Sequence, residues 1–549
     1  MKGASAPLQS GDLFVRKATG LVRAWSLFDA FIYATFSINL VTLGLYIFSF
    51  TYFIPAGNLV AAIVISALFV LFEVVVYGAL IAVMPRTGAD YVWQSRIFGG
   101  GTGFVLAVTG WWFILWYWIP LYAQIMVYEV LAPLLGRLGL RDTALWFAND
   151  TTGLFLACLI VIAFVTLYVA IGLRTYARIQ KFCFYGGVLG LLIVIAVLFS
   201  STPQRFEPVF NSTATALWGA PPNAYQETIA VAGLTADAVP PLTQVPLLPT
   251  LLLIPYIVFF NLWPNWGATL YGEVRGASDF RRNVYSMGGA LIITTVLALV
   301  LLAAIAKGIG WEFYHAANAA FWNKVYDTTG AVPVPPLPVF PYPLMLASYL
   351  LDSPLLQLGI LLLLSLWFWG WAGTAFLSST RVIFAAAFDR VLPEKVAAVD
   401  PRFRTPIYAL LLMTVPSIGV SALWAYWPIF RTLVLDATLV IAVTYLGSAL
   451  AATLLPYLKP DLYRASPIFR YRVAGLPMIT VAGAIFSGFL LFNLYLWFKD
   501  AVYGVNNSTS LIFMSAMYLL AIAIYLAAKV LRRRQGIDLG LVYKEIPVD

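Results

Sequence analysis

The sequence predicts an all-α integral membrane protein with twelve transmembrane helices, and three observations carry that prediction. Of the 549 residues 62% are apolar and only 10% charged, against roughly 25% charged in soluble proteins. Twelve separated runs approach or exceed the ~20 apolar residues that a helix needs to cross a bilayer. Basic residues also segregate by side. With the N-terminus inside, 26 of the 33 Lys and Arg fall on inner segments, and only Arg137, Arg141, Arg205, Lys307, Lys324, Arg431 and Lys499 fall outside. That bias predicts a multi-pass protein of the cell membrane with both termini in the cytoplasm.

Composition excludes several classes. The net charge of +9 is scattered over short loops rather than gathered in a patch, so nucleic acid is not an expected partner. Cys158, Cys183 and the single His315 form no disulfide framework, zinc site or nucleophile–base pair, so no catalytic residue, metal or cofactor is expected. The expected partners are the lipid bilayer and a small-molecule solute.

In chain order, Met1 to Ala24 is mixed and polar, no cleavable signal is expected before the first long apolar run, and Leu27 onward reads as a retained signal-anchor helix. The apolar runs are 27–50, 59–84, 104–135, 154–171, 182–199, 249–271, 286–306, 355–379, 407–425, 432–456, 476–498 and 511–531. The outer segments 200–248 and 308–353 are long and Pro-rich and read as solvated covers. Sequons at Asn149, Asn211, Asn506 and Asn507 all fall on the outer face. After the last run, Arg532-Arg533-Arg534 suits anionic head groups.

The sixth run is unusual in its middle. Leu251–Glu273 reads as membrane helix at both ends, but between them stand Asn261, Leu262, Trp263, Pro264, Asn265, Trp266 and Gly267. Proline removes a backbone donor and disfavours helix in the residue before it. In hydrocarbon an interrupted helix persists only where protein or a water-filled cavity satisfies the freed groups. Two half-helices meeting at mid-membrane make a site for a small charged or zwitterionic solute, with Asn261, Trp263, Asn265 and Gly267 as candidate contacts. The competing reading is a proline kink that serves packing alone.

Three further stretches resemble the amino acid–polyamine–organocation superfamily of transporters. Met84–Gly99, MPRTGADYVWQSRIFG, is similar to its Pro-x-Ser-Gly-Gly-x-Tyr…Gly pattern. Gly272-Glu273-Val274…Arg282-Asn283 resembles the signature after its sixth helix. Ser379–Pro393, STRVIFAAAFDRVLP, with Arg404-Thr-Pro-Ile, is similar to the loop after its eighth. The likeness covers about residues 25–458. It implies a five-plus-five inverted repeat like that of sodium-coupled leucine transporters, with helices 1 and 6 discontinuous. The implied division is a tail (1–24), a first repeat (25–200), an outer loop (201–248), a second repeat (249–458), an inner loop (459–475), accessory helices 11 and 12 (476–531) and a tail (532–549).

The resemblance places the first interruption in Ala34–Gly44, ATFSINLVTLG, with Ser37, Asn39, Thr42 and Gly44 as candidate solute contacts. Where relatives carry a coupling lysine on helix 5, this chain has Gly187. Candidates for the coupling ion, Na⁺ or H⁺, are Ser378 and Ser379 on helix 8 and the intramembrane acids Glu73 and Asp436, since charge at that depth is costly. Asp29 and Glu129 lie nearer helix ends. Trp263 can cap an amine by a cation–π contact. The expected function is secondary active transport of amino acids or related amine-bearing solutes, cation-coupled or exchanging. The alternative is a sensor or scaffold that keeps the fold without transport.

Overall fold

The computed structural model describes residue 21 and residues 23–235 and 238–546. Among them twelve helical spans are long and apolar enough to cross a membrane: Leu27–Phe53, Leu59–Val83, Gly100–Arg137, Thr151–Ala170, Leu173–Phe199, Leu247–Glu273, Phe280–Val325, Pro354–Phe388, Ile407–Tyr426, Pro428–Leu458, Met478–Lys499 and Ser508–Arg534. They are numbered here as spans 1 to 12. The chain is an all-α multi-pass membrane protein, with one two-residue hairpin, Arg472–Val473 against Leu476–Pro477. Its turn uses Ala474 and Gly475, both at positive φ, the twist that closes two-residue hairpins.

Burial grades across the bundle. Spans 1 and 3 are almost wholly enclosed, whereas spans 9 and 12 are mostly turned outward. Apolar composition alone does not separate them, because lipid-facing and protein-facing surfaces are equally apolar. Among the described residues four places contain a wide, π-helical turn: Leu40–Gly44, Thr109–Phe113, Val127–Leu131 and Ala306–Gly310.

Helices overrun the apolar stretches that mark them. Span 5 starts at Leu173, ahead of Arg174, Arg178 and Lys181, and Lys181 pairs with Asp29 of span 1 at 2.7 Å. The Pro-rich segment 200–248 is not a loose cover throughout. It contains helices Pro203–Trp218 and Ala224–Ala232, the first capped by Thr202. Tyr225 stacks on Phe313 beyond span 7's wide turn, centroids 4.2 Å apart.

At the end of the bundle that carries residues 25, 96, 273 and 389, chain segments knit together. Trp25 and Glu273–Arg275 exchange backbone hydrogen bonds of 3.1 and 3.0 Å. Arg381 pairs with Glu273 in fork geometry, 2.8 and 3.2 Å. Arg96 does the same with Asp389, its second bond 2.9 Å. Both pairs are buried, where desolvation is offset only by such two-point contact. The Tyr543 ring lies over the Arg96 guanidinium at 5.3 Å.

Candidate functional site

The site is built from the interruption in span 6. The α-helix Leu247–Asn261 stops, and a tighter 3₁₀ segment, Trp266–Glu273, follows. Pro264 lies between them and offers no N–H. The indole of Trp263 donates to the carbonyl of Phe259, four residues back, at 2.7 Å, so a side chain supplies a hydrogen bond at the end of the helix. This uses the Trp263 donor, and the ring itself is completely buried among Trp118, Phe259, Trp266 and Tyr445.

The asparagines behave differently from each other. Asn261 accepts from Ser66 of span 2 at 2.9 Å, and its amide N–H group has no protein partner. Asn265 is fully buried with neither end in a hydrogen bond. Its amide and the Trp266 indole approach the Tyr445 hydroxyl of span 10 without closing standard hydrogen bonds. Trp118 Nε1 is also buried and unpaired, and Tyr122 Oη and Thr374 Oγ1 approach each other without closing a standard hydrogen bond. Each such group costs about 1–3 kcal/mol if left unmet, and so many are not expected from packing alone. Aromatic rings bind this region together: Trp118 meets Trp263 edge-on at 5.1 Å and Trp266 at 5.3 Å, and Trp111 meets Trp266 at 5.4 Å.

Span 1 is interrupted beside it. Its first helix ends at Ile38, and Asn39 takes the left-handed conformation, φ 46°, which asparagine tolerates better than most residues. Asn39 Oδ1 accepts from the Thr42 amide at 3.0 Å, and its Nδ2 donates to the Trp367 carbonyl at 3.3 Å. Ser37 donates to the Tyr33 carbonyl within its own helix. The Thr42 side chain lies beside Glu129. Gly44 lets the chain approach Phe260: a Cβ there would lie 2.9 Å from that ring. Gly267, by contrast, has room. A Cβ would meet only Tyr33 and Tyr271, at 3.5 and 3.8 Å.

Among the ion candidates, Ser378 is the junction. It shares a 2.7 Å hydrogen bond with Tyr33 of span 1 and donates to the Trp266 carbonyl of span 6 at 3.1 Å. Ser379 donates to Ala375 of its own helix. Asp436 accepts from Ser510 of span 12 at 2.9 Å. Gly187 packs under the Trp367 indole, 3.0 Å from any Cβ placed there. Glu73 is fully buried, and neither carboxylate oxygen has a protein partner.

The neighbour of Glu73 went unremarked in the sequence. Asp90, on the short helix Ala89–Phe98, receives Tyr77 Oη at 2.6 Å, Ser448 Oγ at 2.6 Å and Trp111 Nε1 at 2.9 Å. Burial pushes its carboxyl from the ordinary 3.8 up to about 6, against the pull of those three donors. A signal was available, since Asp90 is the one acid in Met84–Gly99.

Comparison with protein-family profiles and with curated proteins found no match to this chain.

Proposed function

We propose that this chain is a secondary active transporter of the amino acid–polyamine–organocation type. In this reading it moves a small amine-bearing solute by alternating access, and spans 1–5 and 6–10 form an inverted repeat with spans 1 and 6 discontinuous. The observation that carries the reading is Asn265: an amide with both ends unpaired, buried beside Trp266 and Tyr445 at the interruption of span 6. Polar groups without protein partners, converging at a helix break, suit a zwitterionic solute. Ser378 supports it by tying spans 1, 6 and 8 at one point. Charge asymmetry supports a cell-membrane protein with cytoplasmic termini. Glu73, with two unpaired oxygens near Tyr445, suits an amine or a coupling cation. The dense aromatic filling around Trp263 favours the second reading, a sensor that binds without flux.

The test is a thermal-shift screen of the purified protein against amino acids and polyamines, since a ligand at 100 times its Kd stabilises by about 2.7 kcal/mol. Asn265→Ala is expected to abolish the shift produced by any hit, with the unliganded protein still folded. An unchanged shift in Asn265→Ala places the solute elsewhere. Binding without uptake into proteoliposomes selects the sensor.

A further inference from the structure

We propose that Asp90 and Glu73 form a proton-binding site that controls the end of the bundle carrying the Arg96–Asp389 and Glu273–Arg381 pairs, with a proton on Asp90 favouring the knitted arrangement described above, here termed closed. The proposal rests on the transport reading only for its use in coupling.

The geometry singles out Asp90. Its carboxylate joins span 2 (Tyr77), span 3 (Trp111), span 10 (Ser448) and the helix Ala89–Phe98 through side-chain hydrogen bonds. It is completely buried. Trp111 continues from Asp90 to Trp266 at the span 6 interruption, so the acid is two side chains from the candidate solute site. Glu73, one turn before Tyr77, adds a second carboxyl within electrostatic reach and without a protein partner. Among the described residues neither acid is in an ion pair, and the nearby Arg96 and Arg381 are held by Asp389 and Glu273. The other titratable groups around Asp90 are the hydroxyls of Tyr77 and Tyr445. Two adjacent buried acids without a cation are stable with fewer than two negative charges.

The direction follows from solvation. Closed, Asp90 holds its proton up to about pH 6; hydrated in an opened end, it would revert toward the ordinary carboxylate value. The closed form therefore binds the proton more tightly, and by linkage the proton favours closure. The step is a single proton transfer: an O–H bond forms on a carboxylate oxygen as one breaks in hydronium, leaving water, and the reverse occurs on opening. A proton released at this end would accompany opening there, which is the order a proton-driven carrier requires.

The experiment is an infrared pH titration of the purified full-length chain in nanodiscs, following the protonated-carboxyl stretch, with hydrogen exchange of residues 86–96 measured in parallel. No solute is needed, so failure here leaves the solute reading standing, and a failed solute screen leaves this titration interpretable. A carboxyl band titrating near pH 6 is expected, lost in Asp90→Asn. Ser448→Ala removes a donor to the ionised form and should raise the midpoint by about one pH unit, a tenfold gain in proton affinity. Glu73→Gln removes the neighbouring acid and should lower it. Exchange in 86–96, corrected for its intrinsic pH dependence, should slow below the midpoint, and Asp90→Asn should be slow throughout. A band that survives Asp90→Asn, a midpoint unmoved by Ser448→Ala, or exchange in Asp90→Asn that still follows pH overturns the proposal. The Ser448→Ala arm does not depend on Asp90→Asn folding.

Discussion

Two glycines at the interrupted spans make opposite demands. At Gly44 a Cβ would press on Phe260 at 2.9 and 3.1 Å, and that ring is already fixed edge-on by Phe48 at 5.0 Å. Gly44→Ala is expected to lower stability by about 1–3 kcal/mol, the usual cost of overpacking. Gly267→Ala meets only ordinary contacts and should change stability by less than about 0.5 kcal/mol. Thermal unfolding of the two purified variants checks the contrast, and equal losses would contradict the packing described here. Sequence reasoning offered both glycines as solute contacts alike, since composition shows that a glycine is present and not what faces it. Trp263 is similar: its place in the break was legible, but the engagement of its indole by Phe259 depends on a helix end that only coordinates locate. Asp90 was least legible, since one of its donors, Ser448, lies 358 residues away.

The helices themselves were more readable than their limits. Hydropathy marks the segment that suits lipid, while backbone hydrogen bonding decides where a helix ends. Span 5 therefore begins ahead of its basic residues, and span 7 continues past Gly310 into Trp311–Val325. Asn261 and Pro264 raised the expectation of a break through backbone chemistry alone, and the α-helix gives way to a 3₁₀ segment across them. The three stretches that resemble a transporter family also acquire a physical rationale, because their charges pair with one another: Glu273 with Arg381, and Arg96 with Asp389. Arg381→Met, which strands a buried carboxylate, should cost about 3–5 kcal/mol. Adding Glu273→Leu to it should recover most of that loss, because a well-packed apolar pair is often as stable as a buried ion pair. Apparent Tm values of the single and double variants decide, and a double variant worse than the single would mean that these residues hold more than each other.

For the whole molecule the open question is which way it faces. The proposed orientation predicts that cysteines replacing the exposed Ser278 and the half-buried Ala397 resist impermeant thiol reagents in intact cells and react after permeabilisation. A cysteine replacing the exposed Ala230 should react at once, and the reverse pattern inverts the protein. The native thiols do not interfere, since Cys158 and Cys183 are buried. The knitted end also has a consequence in time. Arg96 and its partner Asp389 are 293 residues apart, and Glu273 and Arg381 are 108 apart. At about 5–20 residues per second of synthesis, Asp389 follows Arg96 out of the ribosome by about 15–60 seconds. Over that interval the first half of the bundle sits in the bilayer with a strong cation unanswered at its edge. This end is therefore among the last parts to mature during biogenesis, and a nascent chain stalled before Asp389 would present an open, basic surface to insertion chaperones and quality-control proteases.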